Sequence, residues 1–250
     1  MDEKPLISVV LPTYNEEHYV GSLLSSIEQQ TYQNYEIIAI DSFSADRTKE
    51  ILEGHKARII SVPKTNISAA RNAGISAAKG EILAFIDADY ILTKDVFAKV
   101  VETFLDDKDS RIVCIEPRNK TSLKDLKRKD RIKFKTLNFF ISGYKWISFF
   151  TPLPAAYGCD FCRKDTVDRV GPFNKNIDVA EDKEFFSRLK KYGKFKILNQ
   201  TVRMSYRRHA KDGTVKTGFL YFLASVSAIF TKRFKFRFKS IRRGKHVKKP

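Results

Sequence analysis

The sequence predicts an α/β protein with a mostly parallel β-sheet flanked by helices, followed by a basic and apolar helical extension at the C-terminal end. Apolar runs typical of buried strands alternate with helical patterns at intervals of about 20 to 25 residues, the order that builds parallel sheets. The 250 residues are 42% hydrophobic, which allows a sizeable core and excludes disordered and low-complexity classes. We therefore expect one domain over residues 1–210 and a separate C-terminal segment over residues 211–250.

The strands and helices are predicted from the spacing of apolar residues. Strands are expected at residues 6–11, 37–40, 58–62, 81–86, 111–115 and 157–162. Helices are expected at residues 16–30, about 46–52, about 68–78, after a cap at Thr93, and at residues 180–192. Two further stretches, residues 122–150 and 217–230, also have helical character.

Polar and acidic residues follow the predicted strands directly, at the edge where parallel sheets bind ligands. They include Thr13, Tyr14, Asn15, Asp41, Asp87 and Asp89. Three carboxylates along one edge favour a cation or a hydroxyl-rich ligand. The glycine-rich motifs of dinucleotide-binding folds and P-loops are absent from the sequence, so a metal or basic side chains would have to neutralise any bound phosphate.

Asp87-Ala88-Asp89 is the sharpest of these features. Strand alternation places both carboxylates on one face at the end of the fourth strand, where they repel each other unless a divalent cation lies nearby. Mg²⁺ and Mn²⁺ prefer oxygen ligands and often complete their coordination with substrate phosphates. A solvated turn or a helix cap would explain the same residues without any ligand.

Asp41 and Arg71 are candidates for nucleotide contacts. A carboxylate at a strand end can accept hydrogen bonds from a base or from ribose hydroxyls, although Asp41 could also cap the following helix. Arg71 lies among small residues in SAARNAG, where a ligand can approach closely, and a guanidinium suits phosphate or a base edge. An ordinary surface charge is the alternative for Arg71.

Four segments in order resemble the family-2 glycosyltransferases of the GT-A fold. They are SVVLPTYNEE, IDSFSADRT, ISAARNAGISAAKGEILAFIDAD and VAEDKEFFSRL, and they cover roughly residues 6–192. The resemblance implies a Rossmann-like domain with a nucleotide-binding half at residues 1–117 and an acceptor half at residues 118–210. It also implies inverting sugar transfer from a nucleotide-sugar, with Mg²⁺ or Mn²⁺ as cofactor.

The resemblance also implies roles for individual residues. Those that would hold the nucleotide-sugar are Pro12, Thr13, Tyr14, Glu16, Asp41, Arg71, Asp87, Ala88 and Asp89. Asp89 would bind the metal on the diphosphate, and Asp182 would be the general base for the acceptor. His209 lies where many relatives place a histidine that helps with the metal or the diphosphate, so it is the second predicted metal ligand. A structural role is the alternative for His209.

The proposed chemistry suits these residue types. Displacement at an anomeric carbon requires neutralisation of the leaving diphosphate, which a metal at Asp89 supplies, and a base to take the acceptor's proton. Glu181 and Asp182 would otherwise be an acidic pair favoured by the helix dipole. Ser42 replaces the second acid of a pair often seen after the second strand. The Gln-x-x-Arg-Trp signature of processive relatives is absent, so we expect transfer of one sugar per encounter.

The three cysteines are expected to be reduced thiols. Cys159 and Cys162 form a CxxC pair, but no further Cys or His ligands occur nearby at zinc-site spacing. Residues three apart on a strand also face opposite sides. This pair is therefore not predicted to bind a metal or to act in redox chemistry.

Charge is distributed unevenly along the chain, whose net charge is +18. Residues 1–117 carry −7, whereas residues 118–135 carry +7 and residues 203–250 carry +14. The longest uncharged stretch has 15 residues and precedes Lys232, so it is too short to span a bilayer, and the basic tail follows it. These features favour peripheral binding to an anionic membrane surface.

Membrane binding implies a lipid-linked acceptor in the synthesis of cell-envelope glycans, either a polyprenyl phosphate or a polyprenyl-diphosphate glycan. A phosphate acceptor is already anionic and would need Asp182 less as a base. UDP-hexose is the favoured donor, and a GDP-sugar is the alternative. The N-terminal residues lack a signal pattern, so we expect a cytoplasmic protein that is peripheral on the inner face of the cell membrane.

Three alternatives remain open from the sequence. The acceptor could be soluble or a polysaccharide, the chain could bind sugar nucleotides without catalysis, or the basic tail could bind nucleic acid. A nucleic-acid-binding protein would not need acidic strand ends, and no motif of that class occurs, so no nucleic-acid partner is expected. A non-catalytic binder would have no need of Asp182.

Overall fold

The computed structural model describes residues 4–63, 66–121, 158–177 and 181–204. Within these ranges the chain forms one eight-stranded sheet with helices on both faces. The strands are β1 (Ile7–Thr13), β2 (Tyr35–Asp41), β3 (Arg58–Ser61), β4 (Ile82–Ile86), β5 (Tyr90–Leu92), β6 (Ile112–Thr121), β7 (Cys159–Arg163) and β8 (Lys194–Met204). The helices are α1 (Val20–Glu28), α2 (Thr48–Gly54), α3 (Ile67–Ala77), α4 (Val96–Asp106), α5 (Lys164–Val170) and α6 (Glu181–Leu189).

The sheet is mixed, with strand order β3-β2-β1-β4-β7-β6-β8-β5. Strands β3, β2, β1 and β4 run parallel to one another, and β6 runs parallel to β8. Strand β7 runs antiparallel to both of its neighbours, β4 and β6, and β5 runs antiparallel to β8. The predicted α/β class with a mostly parallel sheet is therefore confirmed, since four of the seven pairings are parallel.

The core lies in two layers, one on each face of the sheet. Alternation along β1 directs Val9 into one layer and Val10 into the other. Helices α1 and α4 cover the first layer, whereas α3 and α6 cover the second. A Cβ atom at Gly74 would lie 2.4 Å from Cγ1 of Val10, so a glycine lets α3 pack close against β1.

The six predicted strands are all present, but β5, β8 and α5 were not predicted. Strand β5 has only three residues, which is too short for a periodic pattern. Strand β8 buries only Leu198 and Val202, so its sequence lacks a clear alternation. Helix α5 has seven residues and buries only Thr166 and Val167.

Two local predictions are wrong. Asp95, not Thr93, is the residue that precedes α4, and the Thr93 hydroxyl donates to Oδ1 of Asp95 instead. Strand β4 ends at Ile86, and the Tyr90 N–H donates to the Asp87 carbonyl at 3.3 Å in a turn. Strand alternation therefore does not place Asp87 and Asp89, because the chain turns after Ile86.

The opposed orientation predicted for the CxxC pair is confirmed. Cys159 packs into one layer of the core and Cys162 into the other. Both thiols are buried, as is that of Cys114, and none of the three cysteines is in a disulfide.

Several predictions concern residues outside the described ranges. These are the helical stretches at 122–150 and 217–230, the C-terminal segment 211–250, and His209. The boundary predicted at residue 117 falls within β6. Within the described part of the chain, none of the helices has both the length and the apolar composition needed to cross a bilayer.

Candidate active site

The predicted site residues converge on one edge of the sheet because of strand direction. Strands β2, β1 and β4 are parallel neighbours, so their ends lie side by side along that edge. The order along the edge is Asp41, Thr13 and the turn at Asp87. Strand β7 runs the other way, and Cys159 pairs with Ile86, so β7 begins where β4 ends. The edge therefore combines the ends of three strands with the start of a fourth.

Asp41 is held by neutral hydrogen-bond donors in what we call the Asp41 network (Thr13, Asn15, Asp41 and Ser44). Its Oδ1 accepts from the hydroxyls of Thr13 at 3.1 Å and Ser44 at 2.6 Å, and its Oδ2 accepts from the Ser44 N–H at 3.0 Å. Asp41 is only 2% exposed. The buried carboxylate is thus fixed by three short-range contacts.

The loops that carry this network are bonded to each other. The Asn15 N–H donates to the Ser44 hydroxyl at 2.9 Å, and the Asn15 side chain accepts from the Ala45 N–H at 2.8 Å. Asp46, not Asp41, accepts from the Thr48 N–H at the start of α2, so helix capping is not the role of Asp41. The loops that follow β1 and β2 are therefore held together by hydrogen bonds.

Arg71 lies at the centre of a second group, the Arg71 cluster (Arg71, Asp87, Asp160, Glu181 and Asp182). Its Nη1 donates to Oε1 of Glu181 at 2.9 Å and its Nη2 to Oδ1 of Asp87 at 3.3 Å. The guanidinium also lies 5.4 Å from the centre of the Phe173 ring. Arg71 is 6% exposed, so the alternative of an ordinary surface charge is wrong. It joins α3, the turn after β4 and the first turn of α6.

Electrostatics within this cluster favour protonated carboxyl groups. The pKa of Asp160 is raised to about 7, first by burial and then by the Asp182 carboxylate, with Arg71 acting in the opposite direction. Burial and Asp182 likewise raise the pKa of Glu181 to about 7. Burial alone would lower the pKa of Arg71, but Asp87, Glu181, Asp182 and Asp160 together raise it. The guanidinium is therefore charged, while Asp160 and Glu181 titrate near neutral pH.

Gly158 brings β7 into contact with Asp87. Its carbonyl accepts the Asp87 N–H at 2.8 Å, and its φ is +80°, a conformation that side chains rarely adopt. A Cβ atom at position 158 would lie 2.6 Å from Oδ2 of Asp87. Glycine is thus required here for two separate reasons, and the close approach sets the position of the Asp87 carboxylate.

The structure brings most of the predicted residues to this edge in two groups. Thr13 and Asp41 lie in the Asp41 network, whereas Arg71, Asp87 and Asp182 lie in the Arg71 cluster. The other predicted site residues within the described ranges are Pro12 near the end of β1, Tyr14 and Glu16 in the following loop, and Ala88 and Asp89 in the turn after β4. His209 lies outside the described residues.

Two residues of the cluster were missed as site residues. Glu181 was considered only as part of an acidic pair at a helix start, and its buried bond to Arg71 spans 110 positions of sequence. Asp160 was not considered at all, although an acidic residue inside the apolar strand CDFC is a signal that could have found it. Buried acids in strands are rare unless they have a partner or a function.

Comparison with known proteins places these observations in context. The sequence model described as Glycosyl transferase family 2 matches residues 8–165. Chondroitin synthase of Pasteurella multocida (strain Pm70) is 28% identical over 223 residues, which cover 85% of this chain and 22% of that protein. The chain therefore spans about a fifth of the length of this relative.

Two solved structures are similar in fold. S. aureus TarS 1-349 in complex with UDP-GlcNAc has a TM-score of 0.60 and 20% identity, covering 80% of this chain and 58% of that one. The mannosyltransferase PcManGT from Pyrobaculum calidifontis in complex with GDP-Man and Mn²⁺ has a TM-score of 0.62 and 17% identity, covering 89% and 65%.

Proposed function

The chain belongs to glycosyl transferase family 2 and has the GT-A fold, and from this premise we propose that it is an inverting, metal-dependent glycosyltransferase. It transfers a single sugar from a nucleotide-diphosphate sugar, with UDP-hexose favoured over a GDP-sugar, to a lipid-linked acceptor at the cytoplasmic membrane face. The Arg71 cluster carries the proposal, because one buried guanidinium joins the proposed donor side at Asp87 to the proposed base side at α6.

The nucleotide end of the donor lies against the Asp41 network. A carboxylate fixed by three hydrogen bonds is preorganised to receive donors from a base or a ribose, because its position costs no further ordering on binding. The loop after β1 supplies the neighbouring contacts from Tyr14 and Glu16, and Pro12 precedes it. The similar structures of TarS and PcManGT are complexes with UDP-GlcNAc and with GDP-Man, which supports a nucleotide-sugar donor.

Asp89 would hold Mg²⁺ or Mn²⁺, with His209 as the second protein ligand. The turn after β4 fits such an ion because Asp89 offers hard oxygen ligands, whereas Asp87 pairs with Arg71. When bound, the ion neutralises charge on the leaving diphosphate. PcManGT was solved with GDP-Man and Mn²⁺, which supports the use of a divalent cation.

Asp182 acts as the general base. It lies in the first turn of α6, and its Oδ1 accepts the Lys183 N–H at 2.7 Å, which orients the carboxylate. The acceptor oxygen bonds to the anomeric carbon, the bond from that carbon to the diphosphate breaks, and the hydroxyl proton passes to Asp182. A polyprenyl phosphate acceptor carries no such proton and does not need this step.

Calorimetry and transfer assays on two variants test the donor and base assignments. Asp89→Ala should abolish Mn²⁺-dependent binding of UDP or GDP, because it removes a metal ligand. Asp182→Asn should keep that binding while turnover on a hydroxyl acceptor falls by about 10²- to 10⁴-fold.

The matched control is Glu184→Gln, since Glu184 lies on the same helix but pairs with Arg188. It should behave as wild type in both assays. Full turnover of Asp182→Asn on a hydroxyl acceptor would contradict the base assignment, and normal metal-dependent binding by Asp89→Ala would contradict the metal site.

A saccharide acceptor is the second candidate. Similarity to a chondroitin synthase over 85% of this chain favours it, whereas the basic tail and the neighbouring apolar stretch favour the lipid-linked acceptor. Co-sedimentation of the full chain with anionic vesicles discriminates between them. Salt-sensitive binding supports the membrane proposal, and equal partition with neutral vesicles contradicts it.

A further inference from the structure

The neighbouring strands β6 and β7 each place one cysteine and one acidic residue on the same face of the sheet. Cys114 on β6 pairs with Cys162 on β7, and their sulfurs lie 3.6 Å apart. Glu116 follows Cys114 by two residues and Asp160 precedes Cys162 by two, so alternation puts both acids on the face of the cysteines. Because the strands are antiparallel, the two acids are displaced toward the same end. We call these four residues the β6–β7 square.

The square is compact and buried. Ligand atoms of Cys114, Glu116 and Asp160 all lie within 4.8 Å of one another, and Cys162 joins these three through its 3.6 Å contact with Cys114. None of the four residues is more than 7% exposed. Arg71 acts on Asp160 and Lys190 acts on Glu116 as neighbouring positive charges. The two carboxylates still repel each other where little water reaches them, and a cation between them would reduce this repulsion.

An independent observation points to a ligand. Asp160 is 1% exposed, and its Oδ1 has no hydrogen-bond partner among the described residues. A buried oxygen that makes no hydrogen bond loses the hydration it had in the unfolded chain, which destabilises the folded state. A cation within the square would supply the contact.

We propose that Cys114, Glu116, Asp160 and Cys162 form a binding site for a divalent cation of the zinc class. Zn²⁺ combines thiolate and carboxylate ligands in tetrahedral sites, whereas Mg²⁺ and Ca²⁺ take oxygen ligands almost exclusively. Two sulfurs at about 2.3 Å from one zinc ion lie about 3.8 Å apart in a tetrahedron, close to the 3.6 Å observed. The site is distinct from the proposed metal site at Asp89, which contains no sulfur.

Binding changes the protonation of the square. Burial raises the pKa of both the Cys114 and the Cys162 thiol, so the metal-free protein holds them protonated. Zn²⁺ binds thiolates, so each cysteine releases its proton to solvent as its sulfur–zinc bond forms, and any proton on the acids leaves as well. The oxidation state of every atom stays the same. The cation would join β6 to β7 beside the Arg71 cluster, of which Asp160 is also a member.

Titration with Co²⁺ tests the site in the full chain, kept reduced and first freed of metal by a chelator. Cobalt bound by thiolates gives charge-transfer absorption in the near ultraviolet, together with intense visible bands in tetrahedral sites. We expect about one equivalent of Co²⁺ to produce both, and Zn²⁺ to abolish them and to raise the unfolding temperature.

The chain offers a matched control. Cys159→Ser removes a buried thiol from the same strand but on the opposite face, so it should keep the cobalt spectrum. Cys114→Ser should lose the thiolate absorption, and the near-isosteric Asp160→Asn should weaken Co²⁺ binding at least tenfold while retaining the wild-type circular dichroism spectrum. Asp89→Ala should leave the spectrum unchanged, which separates this test from that of the proposed transferase.

Three results would overturn the proposal. They are a wild-type protein without thiolate–cobalt absorption, a Cys114→Ser protein that keeps it, and an Asp160→Asn protein that binds Co²⁺ as wild type does. If Cys114→Ser does not fold, the wild-type titration and Asp160→Asn decide the question.

Discussion

The Asp41 network and the Arg71 cluster hold their acids by different means. Asp41 accepts three hydrogen bonds from uncharged donors, two hydroxyls and one N–H, all within its own and the neighbouring loop. Glu181 and Asp87 share the guanidinium of Arg71, which comes from a different helix. Both arrangements bury carboxyl groups, but only the second depends on a distant charge.

Because their acids are held differently, the Asp41 network and the Arg71 cluster suit different chemical roles. An acid surrounded by neutral donors keeps its contacts over a wide range of conditions, which suits recognition of a nucleotide. An acid that competes with three others for one guanidinium responds to any change in local charge, which suits proton transfer. This difference agrees with the proposed roles, in which the Asp41 network binds the nucleotide and the Arg71 cluster contains the general base.

Removal of the shared cation should give the largest effect. Arg71→Met should cost about 3–5 kcal/mol of unfolding free energy and abolish transfer, because it leaves the buried Glu181 and the half-buried Asp87 without their partner. Urea unfolding measures the first quantity. Arg169→Met is the control, since its pair with Asp165 is exposed and should contribute about 0–1 kcal/mol. Equal losses in the two variants would contradict the central role of Arg71.

The pH dependence of stability should show the next largest effect. The pKa of Glu181 is raised from 4.5 to about 7, so between these values the folded protein holds a proton that the unfolded chain has released. Stability should therefore fall as pH rises through this window. Glu181→Gln should make the pH dependence weaker, whereas the control Glu184→Gln should keep it. Thermal unfolding at pH 5, 6 and 7 measures all three proteins, and identical slopes would exclude this linkage.

The Asp41 network should be the least sensitive to a single change. Ser44→Ala removes a hydroxyl that donates to Asp41 and accepts the exposed Asn15 N–H, but it keeps the backbone N–H bond to Asp41. We therefore expect a loss of about 1 kcal/mol of unfolding free energy and a few-fold weaker nucleotide binding. Ser22→Ala, on the exposed side of α1, should change neither quantity. A loss as large as that of Arg71→Met would mean that the two regions do not differ as described.

Helices and strands could be predicted from the sequence where burial gives a recognisable pattern of apolar residues. Strands β1, β2 and β4 are continuous apolar runs because helices cover both of their faces, and α4 repeats its apolar residues at helical spacing. Strand β8 was missed because it is half-exposed, and the turn after β4 was misassigned because alternation gives no signal for where a strand ends. Turn geometry depends on contacts such as that between Gly158 and Asp87, which come from distant sequence.

The sequence predicted many residues of the candidate site but not the contacts that join them. Motif residues such as Asp41, Arg71 and Asp182 stand out by type and position. The bond from Arg71 to Glu181 and the packing of Cys162 against Cys114 depend on strand order, because β7 lies between β4 and β6 although it follows both in sequence. Asp160 was overlooked for the same reason, since its importance comes from its neighbours in space.

The sequence distance between Arg71 and Glu181 has a consequence for synthesis of the protein. Residues as far as β4 can pair locally as the chain emerges, since β1, β2, β3 and β4 are joined by short helical connections. The guanidinium of Arg71 must wait for α6, 110 positions later, before it meets Glu181. Until then, Asp87 is the member of the cluster with which the guanidinium can pair. The Arg71 cluster is therefore completed only when α6, the last of its elements in the sequence, has joined it.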